Sequence, residues 1–224
     1  MLDIIVFSPH PDDAELSCGG AIIKAVKSGL RVGIIDLTAG ELGTRGDSKT
    51  RLKEATKAKE IMGLAVRENM YFPDSFLEVT KENVLAVANK IRQYKPKIVL
   101  MPYWEDRHPD HVATSRIAYM ACHYAKLKKV ILDYPEHYVP HKIFYQLNTE
   151  FTPSFIIDIS DVIEEKVKAI LAYKSQFKRF SNGVFPFPLV RRSQYYGSLI
   201  GAQYGEPFLL KSPVKLKDWS IFID

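Results

Sequence analysis

The chain has 224 residues, of which 46% are hydrophobic and 25% are charged, so one domain with a sizeable core is expected over residues 1–224. The net charge of +5 is not clustered with aromatic residues, and no segment approaches the ~20 apolar residues of a membrane span, so neither a nucleic-acid nor a membrane partner is expected. The N-terminus lacks the basic and small-residue pattern of a signal peptide. The two cysteines are too few for a disulfide framework, and together these features predict a cytoplasmic location.

Apolar segments alternate with amphipathic ones along most of the chain. In chain order, strands are predicted at 2–9, 30–40, 69–72, 97–102, 142–147 and 155–160, and helices at 18–28, 47–63, 80–94, 110–125 and 160–177. This alternation predicts an α/β fold, a Rossmann-like three-layer sandwich with a mostly parallel sheet. Residues 181–213 are rich in Gly, Pro and aromatics with little periodicity, and they are expected to form an irregular, loop-rich C-terminal lobe.

Two clusters of histidine and aspartate each follow a predicted strand. The first is HPDD at 10–13, after the first strand, and the second is EDRHPDH at 105–111, after the strand 97–102. Ligands of open α/β sheets bind at the carboxyl ends of the strands, so both clusters should meet at one edge of the sheet. The side chains expected to converge there are His10, Asp12, Asp13, His108, Asp110 and His111.

Imidazole and carboxylate groups together suit a catalytic zinc site, which takes three protein ligands and leaves one position open. His10, Asp13 and His111 supply such a set, and the i, i+3 spacing of the first two lets one turn aim both at one point. Asp12 is then free to act as a general base in metal-assisted hydrolysis. Fe²⁺ could occupy the same ligands, because two histidines and one carboxylate also suit non-haem iron.

His108 and Asp110 fit a second role at the same edge. A protonated imidazole could stabilise the oxyanion of a tetrahedral intermediate, and Asp110 could orient an imidazole and keep it charged. The structural alternative is that Asp12, Asp13 and Asp110 are helix N-caps and that His108 is a loop residue. Two His-Pro-Asp copies, each at a strand end, favour the metal site over that alternative.

The chain resembles a known family, the LmbE-like (PIG-L) zinc-dependent N-deacetylases. The matching motifs are HPDDAELSCGG, LTAGELGTRG, RLKEATKAKEIMG and RHPDHVATSRI, all within the first 125 residues. Later segments, FIIDISDVIEEKVKAILAYKSQF and GSLIGAQYGEPF, look like the bacterial branch that deacetylates N-acetylglucosaminyl-malate in bacillithiol synthesis. The resemblance implies zinc bound by His10, Asp13 and His111, Asp12 as base and then acid, and His108 as oxyanion stabiliser supported by Asp110.

Arg51 and Arg107 are the candidate substrate-binding residues, mainly because the resemblance puts substrate contacts there. Each could present a guanidinium to a carboxylate of an anionic conjugate such as the malate moiety. The structural alternative pairs Arg51 with a local acid and leaves Arg107 as a surface residue.

The expected partner is a small-molecule N-acetylglucosamine (GlcNAc) conjugate, and a homo-oligomer is also expected. A chitobiose, an inositol conjugate or an antibiotic sugar stays open as the substrate. Two rival classes are a non-catalytic carbohydrate-binding protein and a nucleotide-binding regulator, the second disfavoured because the chain has no GxGxxG fingerprint.

Overall fold

A computed structural model describes residues 1–178 and 187–218. The strands are β1 (Ile4–Ser8), β2 (Val32–Thr38), β3 (Val66–Phe72), β4 (Ile98–Pro102), β5 (His141–Tyr145), β6 (Phe155–Asp158) and β7 (Gly205–Leu210). The helices are α1 (Asp13–Lys27), α2 (Ser48–Met62), α3 (Lys81–Tyr94), α4 (Pro109–Ala125), α5 (Ile163–Leu171), α6 (Lys174–Phe177) and α7 (Phe187–Ser198), with a 3-10 turn at Ser160–Val162. Among the described helices none is long and apolar enough to cross a bilayer.

The helix boundaries follow local sequence signals. The side chain of Asp47 accepts from the Thr50 amide at 2.7 Å and so caps α2, while Gly63 ends it with φ 67°, the left-handed conformation that glycine adopts freely. Helix α1 begins at Asp13, earlier than the position 18 that the sequence pattern predicts. A break at Cys18 separates this extra first turn from the predicted part of the helix.

The seven strands form one sheet in the order β3-β2-β1-β4-β5-β7-β6. The first five strands of this order are parallel, whereas β7 runs antiparallel to both β5 and β6. This confirms the mostly parallel α/β sheet. The order reverses between β1 and β4, which pair directly, with Val6 opposite Leu100. That reversal is a topological switch point, where α/β folds place their ligand sites.

Strand β1 is buried on both faces of the sheet. Ile4 and Val6 belong to the core cluster beneath α1 and α5, whereas Ile5 and Phe7 belong to the cluster beneath α3 and α4. Alternate side chains of a strand point to opposite faces, so a continuous apolar run fills both cores. The result is the predicted three-layer arrangement, with helices on each face.

The C-terminal segment differs from the predicted irregular lobe. Residues 181–186 lie outside the described part, but the rest contains helix α7 and strand β7. Strand β7 lies inside the sheet and pairs with both β5 and β6. Its sequence, GEPFLL, carries a charged residue and a proline and therefore looks unlike a strand. The strand forms because two neighbours offer it hydrogen bonds, a non-local cause that periodicity does not reveal.

Candidate metal centre

The loops after β1 and β4 bring the two histidine–aspartate clusters together at the switch point. The ring centroid of His10 lies 4.9 Å from that of His108 and 5.6 Å from that of His111, and the rings of His108 and His111 stack at 4.6 Å. Residues about a hundred positions apart therefore lie in one cluster. The position of β1 beside β4 is what makes this meeting possible.

The imidazole of His10 has an aspartate at each ring nitrogen. Its Nδ1 lies 3.0 Å from Oδ2 of Asp13, while its Nε2 lies 3.1 Å from both Oδ1 of Asp74 and Oδ2 of Asp110. Burial alone would lower the pKa of His10, but hydrogen bonds with Asp110, Asp13 and Asp74 raise it to about 12. The three surrounding carboxylates therefore favour positive charge at this point.

The imidazole of His111 is oriented in the same way. Its Nε2 lies 3.5 Å from the same Asp13 oxygen, and its Nδ1 lies 3.1 Å from Oδ1 of Asp106, with the Asn148 amide at 3.4 Å. Burial raises the pKa of Asp13, but the charges of His111 and His10 outweigh burial and lower it to about 2. Asp13 is thus an ionised carboxylate between two imidazoles.

This arrangement fits a bound metal ion. One ligand atom from each of His10, Asp13 and His111 lies within 4.8 Å of the others, and all three residues are buried. Metal-binding histidines usually turn their second nitrogen onto a carboxylate, which fixes the ring, and both rings do so here. His10, His108 and Asp110 form a second group with the same spacing, but its Asp110 oxygens also accept backbone amides.

Asp12 is buried beside this group and has an unusual backbone conformation, with φ 108° and ψ −27°. Positive φ is rare for residues other than glycine and often marks a functional site. Burial raises the pKa of Asp12 well above its usual value, and the charge of Asp13 adds to that effect. Oδ1 of Asp12 accepts from Arg51 at 3.3 Å. Asp12 is thus a carboxylate with a strong tendency to hold a proton.

The two candidate substrate arginines occupy different environments. Arg51 is buried at 5% exposure and donates to the carbonyl oxygens of Pro11 at 2.6 Å and Gly40 at 3.3 Å as well as to Asp12. Arg107 is exposed, and its Nη2 lies 3.4 Å from Oδ1 of Asn148. The guanidinium of Arg51 therefore holds the Asp12 loop, whereas that of Arg107 is open to solvent at the edge of the site.

The hydrogen bond between His108 and Asp110 involves the backbone amide of Asp110, not its carboxylate. Nδ1 of His108 accepts from the Asp110 amide at 3.2 Å and caps α4, which a doubly protonated ring could not do. Burial and the two neighbouring imidazoles lower the pKa of His108, so its neutral form, with the proton on Nε2, suits this geometry. The Asp110 carboxylate instead faces His10 and accepts from the amides of Ser75 at 2.7 Å and Leu77 at 3.3 Å.

The protein family of this chain follows from comparison with known proteins. A family model described as "PIG-L: GlcNAc-PI de-N-acetylase" matches residues 5–122, more than half of the chain. The chain belongs to the PIG-L family. That stretch holds both histidine–aspartate clusters and all three candidate metal ligands, and the resemblance drawn from the motifs is confirmed at the level of the family.

Individual proteins similar to this chain agree with this placement. The crystal structure of the conserved protein TT1542 from Thermus thermophilus is 42% identical, with a TM-score of 0.91 over 98% of this chain and 99% of that one. Diacetylchitobiose deacetylase from Thermococcus kodakarensis is 31% identical over 91% of this chain and 80% of its own length. A probable N-acetyl-α-D-glucosaminyl L-malate deacetylase 2 from Bacillus cereus is 29% identical over 77% of this chain and 83% of its own.

Three side chains of this site were not predicted from the sequence: Asp74, Asp106 and Asn148. Asp106 lies within the quoted EDRHPDH cluster, and Asp74 follows β3 by two residues. Asn148 follows β5 by three residues. All three come after parallel strands at the edge where the other residues meet, so the rule that located HPDD, applied to every strand, would have found them.

Proposed function

We propose that this chain is a zinc-dependent hydrolase that removes the acetyl group from a GlcNAc conjugate. One observation carries the proposal: His10 and His111 each turn one nitrogen toward Asp13 and the other toward an outer aspartate. A structural histidine pair has no need of that double orientation. Membership of the PIG-L family supports deacetylation as the reaction.

His10, Asp13 and His111 would hold the ion, with Fe²⁺ as the alternative to Zn²⁺. When bound, such an ion supplies Lewis-acid polarisation of a carbonyl oxygen and lowers the pKa of a water molecule. The chain contributes a rigid binding site, since Asp106 and Asp110 fix the two rings from behind. Rigid donors need little rearrangement when the ion binds.

Asp12 is the proposed general base and then general acid. It is adjacent to a proposed ligand yet makes no contact with either His10 or His111 among the described hydrogen bonds, so its carboxylate is free to accept a proton from water. Its raised pKa then favours keeping that proton until the leaving amine takes it. The Arg51 guanidinium holds Asp12 in place at 3.3 Å.

His108 is the proposed oxyanion stabiliser. Its Nδ1 accepts the Asp110 amide, which leaves the Nε2 proton available to the acetamide oxygen as that oxygen becomes negative. A neutral imidazole donor replaces the protonated one expected from the sequence. Asp110 supports the site by holding His10 rather than the ring of His108.

N-Acetylglucosaminyl-malate is the proposed substrate, and the malate deacetylase relative supports it. The chitobiose deacetylase relative supports a neutral sugar instead. Exposed Arg107 suits an anionic aglycone, whereas buried Arg51 serves the Asp12 loop.

Cytoplasmic location and homo-oligomerisation stay predictions. Sedimentation analysis would check the oligomeric state.

The decisive experiment measures acetate release from N-acetylglucosaminyl-malate, diacetylchitobiose and a GlcNAc-inositol conjugate, with and without a chelator. We expect release that the chelator abolishes and Zn²⁺ restores, fastest with the malate conjugate. Metal analysis of His111→Ala should show depleted zinc, and full occupancy would contradict the ligand assignment. Saturable binding of the conjugates without acetate release would favour the carbohydrate-binding alternative.

A further inference from the structure

Helix α1 consists of two helical halves. Cys18 interrupts it with φ −131° and ψ 18°. In an unbroken helix the amides of Gly20 and Ala21 would donate to carbonyls four residues earlier. Here they donate to the Glu206 side chain, at 2.9 Å to Oε1 and 2.7 Å to Oε2. A carboxylate from strand β7 therefore caps the second half of α1 from inside the protein.

The capping carboxylate belongs to a fully buried ion pair. Glu206 and Lys166 are each only 1% exposed, and Nζ of Lys166 lies 2.5 Å from Oε1 of Glu206 and 3.5 Å from Oγ of Ser193. Negative charge is favourable at a helix N-terminus, and a buried carboxylate needs a compensating cation. Glu206 satisfies both conditions at a point where α1, α5 and β7 meet.

The first half of α1 is held on the other side of the break as well. Nη2 of Arg192 lies 3.4 Å from the carbonyl oxygen of Leu16, and its Nη1 donates to the carbonyls of Gln146 and Leu147. The carbonyl and amide groups around the break are thus held by residues from the C-terminal part of the chain. Turning the short first half, from Asp13 to Ser17, would break the contact between Arg192 and the Leu16 carbonyl.

We infer that Glu206 is a positioning residue for the candidate metal site, acting through the first half of α1. That half starts next to Asp12 and carries Asp13, whose Oδ2 lies between His10 at 3.0 Å and His111 at 3.5 Å. The break capped by Glu206 sets the direction of this half-helix. The inference rests on the proposed function, because it assigns Glu206 to the alignment of a proposed ligand.

The test compares Glu206→Gln with a matched control. Glu165→Gln removes another carboxylate that joins α1 to α5, in an exposed pair with Lys27 at 2.7 Å. For Glu206→Gln we expect about tenfold weaker Zn²⁺ affinity, similar to the loss of a group that orients a ligand, measured by competition with a chelating indicator. The kcat for acetate release should fall while KM stays near its wild-type value. Glu165→Gln should match wild type in all three.

A double variant separates positioning from simple stability. Glu206→Gln leaves Lys166 as an uncompensated buried cation and should lower Tm, and Lys166→Met removes that cation. The double variant Glu206→Gln/Lys166→Met carries the test if Glu206→Gln alone does not fold. A double variant with the Tm of wild type but weak Zn²⁺ affinity supports the inference. Recovery of both Tm and Zn²⁺ affinity in the double variant overturns it, as does unchanged Zn²⁺ affinity in Glu206→Gln. A wild-type chain that binds no Zn²⁺ would overturn the proposed function instead.

Discussion

Asp12 combines backbone strain with the proposed chemistry. A non-glycine residue at φ 108° costs on the order of 1–3 kcal/mol and persists only when its surroundings hold it. The surroundings here are specific: Arg51 donates both to Asp12 and to the carbonyl of Pro11 just before it. Arg51 thus helps to hold the strained backbone at Asp12, and the carboxylate of Asp13, the next residue, lies between the two imidazoles.

Replacing Asp12 with Asn tests its role with little change in shape, since asparagine tolerates positive φ better than alanine. We expect kcat for acetate release to fall by about 10²–10⁴-fold, because proton transfer is lost, while bound zinc stays at the wild-type level. Initial rates and metal analysis on the same sample check this. Near-wild-type turnover would remove Asp12 from the base role.

Arg107 tests recognition of an anionic aglycone. Arg107→Ala should raise KM for the malate conjugate more than KM for diacetylchitobiose, because only the first offers carboxylates to a guanidinium. Arg116→Ala, an exposed arginine on α4, is the control and should change neither. An equal increase for both substrates would argue against carboxylate recognition by Arg107.

At the scale of elements, the close packing of α1 depends on one of two adjacent glycines. A Cβ added to Gly20 would lie 2.7–2.8 Å from three side-chain atoms of Ile159, whereas one added to Gly19 would meet its nearest neighbour, Lys166, at 3.6 Å. The first distance is a clash and the second is an ordinary contact. Only Gly20 is required for α1 to lie against the segment after β6.

The matched pair Gly20→Ala and Gly19→Ala checks this packing. Gly20→Ala should lower the free energy of unfolding by about 1–3 kcal/mol through overpacking. Gly19→Ala should leave it unchanged or raise it by up to about 1 kcal/mol, because alanine is the better helix former. Urea denaturation of both variants measures the difference, and equal stability would contradict the close approach of α1.

At the scale of the whole molecule, each of the two cysteines lies in the hydrophobic core on a different face of the sheet, so each can be used to follow the unfolding of its own layer. Cys18 belongs to the core cluster on one face of the sheet and Cys122 to that on the other, and both are free and buried. Burial raises the pKa of Cys122 to about 12 and that of Cys18 well above its usual value. Neither thiol has the thiolate character that reaction requires.

Thiol labelling should therefore follow global unfolding. In native buffer we expect negligible modification of either cysteine, and in denaturant both should react in parallel if the layers unfold together. Mass spectrometry of Cys18→Ala and Cys122→Ala, each with one thiol left, resolves the two sites. Rapid labelling of one thiol in native buffer would show that its layer opens independently.

Local sequence determined most of the architecture and the central residues of the site. Apolar strands alternating with capped helices predict the parallel sheet, and HPDD and HPDH at strand ends predict the convergence of His10, Asp13 and His111, because strand polarity places such loops on one edge. Tertiary structure alone decided the rest. The insertion of β7, the burial of Arg51 and the Glu206 cap on the broken helix α1 each depend on partners distant in sequence. Periodicity and spacing indicate only which face or edge of an element a residue occupies. These three features depend instead on which group from a distant part of the chain contacts that residue.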